Sequence, residues 1–533
     1  MARPRKTAEP PVPAADGTPA APATRKAKAS APAPTTAGRL GTLLKTARAT
    51  LRKDKGLNGD LDRLPLLTWL MFLKFLDDKE TEEESRAALA RKRYQPTIDP
   101  PYRWRDWAAS DALTGDDLLG FITSEKVNLP NGKEGPGLIR ALRGYSASAD
   151  PRRIVVGRVF DGVNNRMESG YLLRSIITQI NGIHFNVSDE IHTLGHLYES
   201  MLKEMRDAAG DSGEFYTPRA VVRFMVKASN PILGETVLDP AAGTGGFLVE
   251  TFAHLQAQAT KAADIETLQR RSIYGIEAKP MPYMLCQMNL LMHGLDAPEI
   301  DKKNSLDRRI AELGDADRVD VILTNPPFGG EEEKGIQNNF PADKQTSETA
   351  LLFLQLIMRL LRRQPFPGRA AVVVPNGTLF GDGVCGKIKH ELLTAFHLHT
   401  IVRLPNGVFA PYTSIPTNLL FFDRGGPTEH VWYYEQPLPA GRKNYTKTAP
   451  LQFEEFADCL AWWNARTETE RAWKVSAKEL IDAGCNLDRK NPNAKPDAEH
   501  LPPEQLVESI LAKEAKIAAI VGEIKALLAG GAA

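Results

Sequence analysis

Residues 325–328 read Asn-Pro-Pro-Phe and follow directly on the run Val319-Asp320-Val321-Ile322-Leu323-Thr324. These residue types suit one chemistry, the direct alkylation of a planar exocyclic amine. An amino group conjugated to an aromatic ring is a poor nucleophile because its lone pair is delocalised. The Asn325 side-chain oxygen and a neighbouring backbone carbonyl can each accept one of its two protons and draw the nitrogen toward a tetrahedral geometry. Pro326 and Pro327 fix φ and carry no N–H, which holds the loop stiff and its carbonyls aimed. Phe328 offers a ring face on which an extruded base can stack. The ordinary alternative is a strand that runs into a proline turn, so the rest of the chain has to decide.

A second constellation lies upstream. Thr236-Val237-Leu238-Asp239-Pro240-Ala241-Ala242-Gly243-Thr244-Gly245-Gly246-Phe247 reads as a strand, a glycine turn and a helix start. Small residues let the backbone approach a ligand closely, and the helix N-terminus favours polar ligand groups. The turn lacks the Gly-Lys-Ser/Thr of a phosphate-binding loop. Asp239 instead suits a cationic amino group, such as the methionine end of S-adenosylmethionine. The next strand ends at Gly275-Ile276-Glu277, which puts a carboxylate where ribose hydroxyls can donate to it. Asn304, with Ser305, is placed to bracket an adenine. Gly213-Glu214-Phe215-Tyr216-Thr217-Pro218-Arg219 precedes a helix-like segment and suits a cap over the methionine moiety. Each element has an ordinary reading as a helix cap, a structural glycine or an exposed acid. Their order along the chain, ending in Asn-Pro-Pro-Phe, is hard to reconcile with chance.

The elements needed to position these residues are legible. Strand-like runs at Thr236–Leu238, Ser272–Ile276, Val319–Leu323, Ala370–Val374, Leu398–Val402 and Asn418–Phe422 alternate with helical stretches such as GGFLVETFAHLQAQATKA and ETALLFLQLIMRLLRR. That alternation predicts a doubly wound α/β sheet, a Rossmann-like core whose ligands bind at the carboxyl ends of the strands. From Leu40 to about Ile191 the apolar spacing of three and four predicts helices instead. Leu64 to Leu76 is too short to span a bilayer and contains Thr68 and Lys74, so a buried helix is expected and no membrane segment. Tyr102, Trp104 and Trp107 alternate with Arg103 and Arg105, a pattern that can stack on bases but more often builds local core.

Directly after the Asn-Pro-Pro-Phe loop a polar stretch begins at Gly329 and reaches about Thr346, and ordering on DNA binding is expected there. After Gly425 come Val431-Trp432-Tyr433-Tyr434 and helical segments. A final amphipathic helix from about Glu504 to Ala529 repeats Ile510, Ile517 and Ile524 at seven, a short coiled-coil-like seam. It suits either its own domain or a partner subunit's helix.

Charge constrains the mechanism. The 533-residue chain has a net charge of +1, but its first 39 residues carry seven Lys/Arg against Glu9 and Asp16. The remainder holds 60 basic and 64 acidic residues, a body of −4 that grips a polyanion poorly without a partner's positive surface. Four scattered cysteines and no CxxC pair predict neither a disulfide framework nor a metal site, and the start has no secretory h-region, so a cytoplasmic location is expected.

From roughly Leu40 to Pro492 the chain resembles the N6-adenine DNA methyltransferases, specifically the methylation subunits of type I restriction–modification systems. GEFYTP, VLDPAAGTGGFL, GIEAKP, TNPPFGG, VVVPNGTLF, VRLPNGVFAPYTSIPTNLLFF and NLDRKNP carry the resemblance. It implies transfer of a methyl group from S-adenosylmethionine to the N6 of adenine in duplex DNA. Asn325, Pro326, Pro327 and Phe328 would hold the target. Residues 214–219 with Asp239, Ala241, Ala242, Gly243, Thr244, Gly245, Glu277 and Asn304 would hold the cofactor. Asn304-Ser305 departs from the family pattern, in which an acidic residue is common there. Too few residues follow the core for a base-reading module, so a separate DNA-specificity subunit is expected, serving two copies of this chain. The resemblance also leaves room for a restriction or translocase subunit. The expected organisation is a disordered tail (1–38), a helical domain (39–190), a catalytic domain (191–430), a helical and irregular region (431–500) and a partner-docking helix (501–533). The rival readings are a protein glutamine N5-methyltransferase and a non-catalytic scaffold of a DNA-defence complex.

Overall fold

The computed structural model describes residues 36–183, 217–410, 413, 415–446, 448–493 and 503–530. Its N-terminal third is helical, built on α1 (Thr36–Leu51), α2 (Asp60–Leu89), α3 (Pro151–Asp161) and α4 (Gly170–Asn181). The helix expected at Leu64–Leu76 forms the buried half of α2, where Leu67, Trp69, Leu70 and Leu73 are all at most 1% exposed. Each such side chain contributes about 1.5–3 kcal/mol by leaving water. Lys74 lies in this core and pairs with Asp78 one turn on. Trp104 and Trp107 are buried in the same core with ring centroids 5.3 Å apart, and Tyr102 is buried with them. They build the domain and are closed to bases. Residues 36–38 belong to α1, so the tail expected over 1–38 gives way to helix before its end; the rest of it lies outside the described residues.

The remainder is organised by one nine-stranded sheet. In chain order its strands are β1 (Val237–Asp239), β2 (Ile273–Ile276), β3 (Glu299–Asp301), β4 (Val321–Thr324), β5 (Arg369–Pro375), β6 (His397–Arg403), β7 (Thr417–Asp423), β8 (His430–Glu435) and β9 (Ala472–Ser476). Their spatial order is β9-β8-β6-β7-β5-β4-β1-β2-β3. Seven strands run the same way, while β7 and β9 are antiparallel to their neighbours. The interior strands lack polar alternation because both faces are covered: Val321 to Thr324 are all buried, as are six of the seven residues of β5 and of β7. Helices α5 (Arg219–Ser229), α6 (Gly246–Gln256), α7 (Pro280–Met292), α8 (Thr349–Leu360) and α9 (Val384–Ala395) provide that cover. β7 enters antiparallel because a loop, not a crossover helix, joins it to β6.

The sheet crosses the boundary expected at residue 430. β8 pairs in parallel with β6, and Val431 and Tyr433 are completely buried in the same apolar cluster as Leu398 and Ile401. The 431–500 region is therefore partly sheet and continuous with the catalytic core, because its aromatic segment needs the two-sided burial that only a strand of this sheet receives. β3 and β9, short edge strands, leave no clear pattern in the sequence.

Helix α7 joins the two halves. Met284, Leu285, Met288, Leu291 and Met292 belong to the helical domain's core, whereas Tyr283, Cys286 and Leu290 belong to the sheet's. Unbranched methionines fill the irregular seam between two differently shaped surfaces. Ion pairs Lys79–Asp296 at 2.9 Å and Lys302–Asp161 at 3.5 Å flank it. At the far end, α10 (Pro503–Gly530) leaves Val507, Ile510, Leu511, Ile517, Ile520 and Val521 about half exposed, so its apolar seam is not covered by the described body. No helix among the described residues is long and apolar enough to cross a membrane.

Candidate functional site

Strand order reverses between β1 and β4, which leave the sheet centre side by side, with Val237 opposite Val321 and Leu238 opposite Ile322. That switch point brings the glycine turn and the Asn-Pro-Pro-Phe loop together at one carboxyl edge, although 84 positions separate Val237 from Val321. A cleft of about 280 Å³ opens there, lined among others by Ala241, Gly243, Glu277, Asn304, Asn325 and Pro327. Its volume is at the small end of the range for small-molecule sites.

The turn is fixed by its own geometry. Gly243 and Gly245 have φ of 53° and 78°, and a Cβ on Gly245 would sit 2.8 Å from the Cys286 Sγ. Glu277 accepts from the Gly243 N–H at 2.9 Å through Oε2 and from the Lys279 N–H at 2.8 Å through Oε1. Each carboxylate oxygen keeps a lone pair for a ligand hydroxyl. The Ala242 N–H donates to the Ile276 carbonyl, and the buried Asn289 Nδ2 donates to the Thr244 carbonyl at 2.9 Å. Ser305 donates from its hydroxyl to the Pro240 carbonyl, which ties the Asn304-Ser305 segment to the turn.

Asp239 lies deeper than the sequence suggests. It is 1% exposed and is not on the cleft wall; its Oδ1 accepts from the Ala241 N–H at 3.1 Å. Burial pushes its carboxyl up to about 7, and the charge of Glu277 adds to that rise. Glu277 is raised for the same first reason, burial, against the pull of the Lys279, Gly243 and Ala278 N–H groups.

At the other end of the cleft Asn325 follows β4. Its Oδ1 is buried with no hydrogen-bond partner among the described residues. A buried acceptor left without a partner costs about 1–3 kcal/mol, so an acceptor in this position on the cleft wall is suited to a donor from a ligand. Phe328 meets Phe409 edge to face, with centroids 5.6 Å apart. Phe409 is a partner that single-residue reasoning misses, although it lies in the LPNGVFAPYTSIPTN block. Asn418 and Asn376, from that block and from VVVPNGTLF, bond to one another at 3.0 Å on neighbouring strand ends.

The other expected site residues divide. Glu214, Phe215 and Tyr216 lie outside the described residues. Thr217 and Pro218 lead into α5, and Arg219 donates to the Gly246 carbonyl at 3.3 Å, bracing the turn from behind. Ala242, Thr244 and Gly245 shape the turn without lining the cleft, and Pro326 is buried beneath the loop. The 331–346 stretch is not the open loop expected. It contains a short helix (Lys334–Gln337), buries Ile336 and Phe340, and is clamped where Thr349 donates to the Gly330 carbonyl and to Glu332, each at 3.2 Å. Those two apolar residues anchor a segment whose charge makes it look solvated.

A model of the N-6 DNA methylase family matches residues 189–500, and a model of the HsdM N-terminal domain matches residues 41–128. The chain is 44% identical over 500 residues to the type I restriction enzyme EcoEI methylase subunit of Escherichia coli, covering 92% of this chain and 97% of that one.

The chain belongs to the N-6 DNA methylase family.

Within that family it groups with the type I methylase subunits. A modification subunit of a putative type I restriction enzyme from Vibrio vulnificus YJ016 superposes with a TM-score of 0.82 at 60% identity, over 87% of this chain and 99% of that one. A chain from a study of complex assembly and conformational transition of the type I system superposes at 0.71 with 38% identity, over 93% and 99%. This methylase is thus an adenine-specific DNA methyltransferase acting at N6, with the fold of its type I relatives. Relatives of that kind along nearly the whole chain do not favour the glutamine-modifying or scaffold readings.

Proposed function

We propose that the cleft binds S-adenosylmethionine and presents its methyl group to an adenine extruded from duplex DNA. The cofactor supplies an electrophilic methyl group. The cleft's donor set fits it: the Glu277 lone pairs suit ribose hydroxyls, Asn304 suits the adenine edge, and the backbone of Ala241 and Gly243 leaves room for close approach. Asp239 acts from beneath by fixing the turn through Ala241.

The chain's own work in the reaction is positional. The Asn325 Oδ1 and the Pro326 carbonyl accept the two hydrogens of the target amino group and pull its lone pair out of conjugation. Phe328, braced by Phe409, stacks on the base. No general base is required beforehand, because the amine proton becomes acidic only as the new N–C bond forms. The single observation that carries this reading is the buried Asn325 Oδ1 at the cleft, which has no partner among the described residues.

Sequence choice is delegated. The half-exposed seam of α10 is the docking element for a helix of a separate DNA-specificity subunit, which serves two copies of this chain, and a restriction subunit can join the same assembly. Relatives named as subunits of type I restriction enzymes support this.

Tritiated methyl transfer to duplex DNA, with the chain alone and with proteins co-purified from its source cell, tests the catalytic claim. Transfer to adenine N6 is expected with the complex. Confirmed cofactor binding without adenine methylation in either preparation would overturn it. Truncation after residue 502 should leave the body's melting temperature unchanged and weaken the complex. An intact complex would move the interface elsewhere.

A further inference from the structure

We infer that the loop leaving β8, residues 436–446, is a contact for the DNA backbone beside the extruded base, with Arg442 and Lys443 as the phosphate ligands. The inference rests on the reading of the site above. It bears on the question posed by the net −4 charge of residues 40–533, which calls for localised positive groups where a polyanion is held.

Three observations carry it. The first is topological. β6 and β8 run parallel to one another and, through β7 and β5, in the same sense as β4, so the loops after β4, β6 and β8 all leave from one edge of the sheet. Asn325, Phe409 and Arg442 sit on those three loops. The second is packing. The Tyr445 N–H donates to the Asn406 carbonyl at 3.1 Å, and Gly407 lies so close beneath that a Cβ there would fall 2.2 Å from the Tyr445 carbonyl oxygen. Tyr445 is fully buried and donates its hydroxyl to Glu455. The loop is thereby fixed on the segment that carries Phe409, which touches Phe328. The third is charge. Residues 441–444 are all exposed, the Arg442 guanidinium rests over the Tyr445 ring at 5.7 Å, and among the described residues no carboxylate pairs with Arg442 or Lys443.

Two exposed cations with no carboxylate partner among the described residues, on a stem packed against the segment that carries Phe409, match the chemistry of a phosphodiester strand. Contacts of this type position without reading sequence, as suits a chain that delegates its choice of site. An acidic protein surface is the competing occupant, but the loop is anchored at Asn406 and Gly407, on the same segment as the Phe409 that packs on Phe328, which favours the strand to which the base is attached.

The test uses the co-purified methylase complex and fluorescence anisotropy with two duplexes of equal length, one with the recognised sequence and one without, over a salt series. R442Q/K443Q should flatten the slope of log affinity against log salt by roughly 0.9 per lost contact, and weaken both duplexes on the order of tenfold at moderate salt. Cofactor affinity should be unchanged and R442K should retain most of the binding. R363Q, which removes one charge at an exposed arginine preceding β5 on the opposite edge of the sheet, should leave the slope alone. An unchanged slope for the double variant would overturn the inference. So would loss of the co-purifying partner with DNA binding intact, which would assign the loop to protein docking. Because the readout is binding, a complex that shows this salt dependence but transfers no methyl group counts against the catalytic reading only.

Discussion

The glycine turn after β1 and the Asn-Pro-Pro-Phe loop after β4 leave adjacent strands of one sheet, yet they treat their polar groups in opposite ways. At the turn, Glu277 holds the Gly243 and Lys279 N–H groups and Asn289 holds the Thr244 carbonyl. These bonds within the protein hold the turn in shape. At the loop, the Asn325 Oδ1 is withdrawn from water and has no partner among the described residues. A site that binds a cofactor repeatedly gains from a preorganised cradle. A site that must change the geometry of an amine gains from an acceptor that only the substrate can satisfy, since the missing bond forms where catalysis needs it.

The sharpest way to break that contrast is Asn325→Ala. Methyl transfer should fall on the order of a thousandfold, by analogy with loss of one preorganised hydrogen-bonding group, while calorimetric cofactor affinity stays close to wild type. Parallel loss of both would show that the two ends are one unit. Gly245→Ala attacks the other end. Positive φ and the 2.8 Å approach to Cys286 predict a stability loss of about 1–3 kcal/mol and weakened cofactor binding. Cys286→Ala in the same chain should recover part of both, because it removes the Sγ but not the backbone strain. Recovery of neither would mean that the sulfur is not what the added Cβ meets.

The smallest effect is in pH. Asp239 is held near 7 by burial, and Glu277 is raised in the same sense. Between the ordinary carboxylate range near 4 and about 7 the unfolded chain has released protons that the native chain retains. Stability of the ligand-free methylase should therefore decline as pH rises through that window, and Asp239→Asn should flatten the decline. A melting temperature that climbs from pH 5 to 7 in the wild type, with Asp239→Asn indistinguishable from it, would show that the native carboxyl ionises normally.

Much of this architecture is legible in the amino-acid sequence. Six strands, the helical N-terminal region and the motif order all follow from local patterns, because strand and helix periodicity and glycine turns are properties of short segments. The features that escape show the limit of such patterns. β8 reads as an aromatic segment of a separate region, since nothing within Val431–Tyr434 reveals that β6 lies beside it. Residues 331–346 read as an open loop because Ile336 and Phe340 are two apolar residues in a charged stretch. Asn289 sits in the apolar helix α7 and has no local signature, as its role depends on a carbonyl 45 positions away. Asp239 reads as a ligand contact, whereas burial behind Ala241 makes it a brace.

By itself, the sequence determined the chemistry available to this methylase: an amide oxygen on a proline-stiffened loop, a glycine turn that admits a ligand, and a carboxylate at the next strand's tip. It also determined the seven-residue repeat of α10. Only the tertiary structure decided which of those groups hold partners within the protein. Hydrogen bonding is a property of neighbours in space, so no local pattern could reveal that each Glu277 oxygen holds one backbone N–H and keeps a lone pair, that the Asn325 Oδ1 has no partner among the described residues, and that the apolar seam of α10 is left uncovered by the described body.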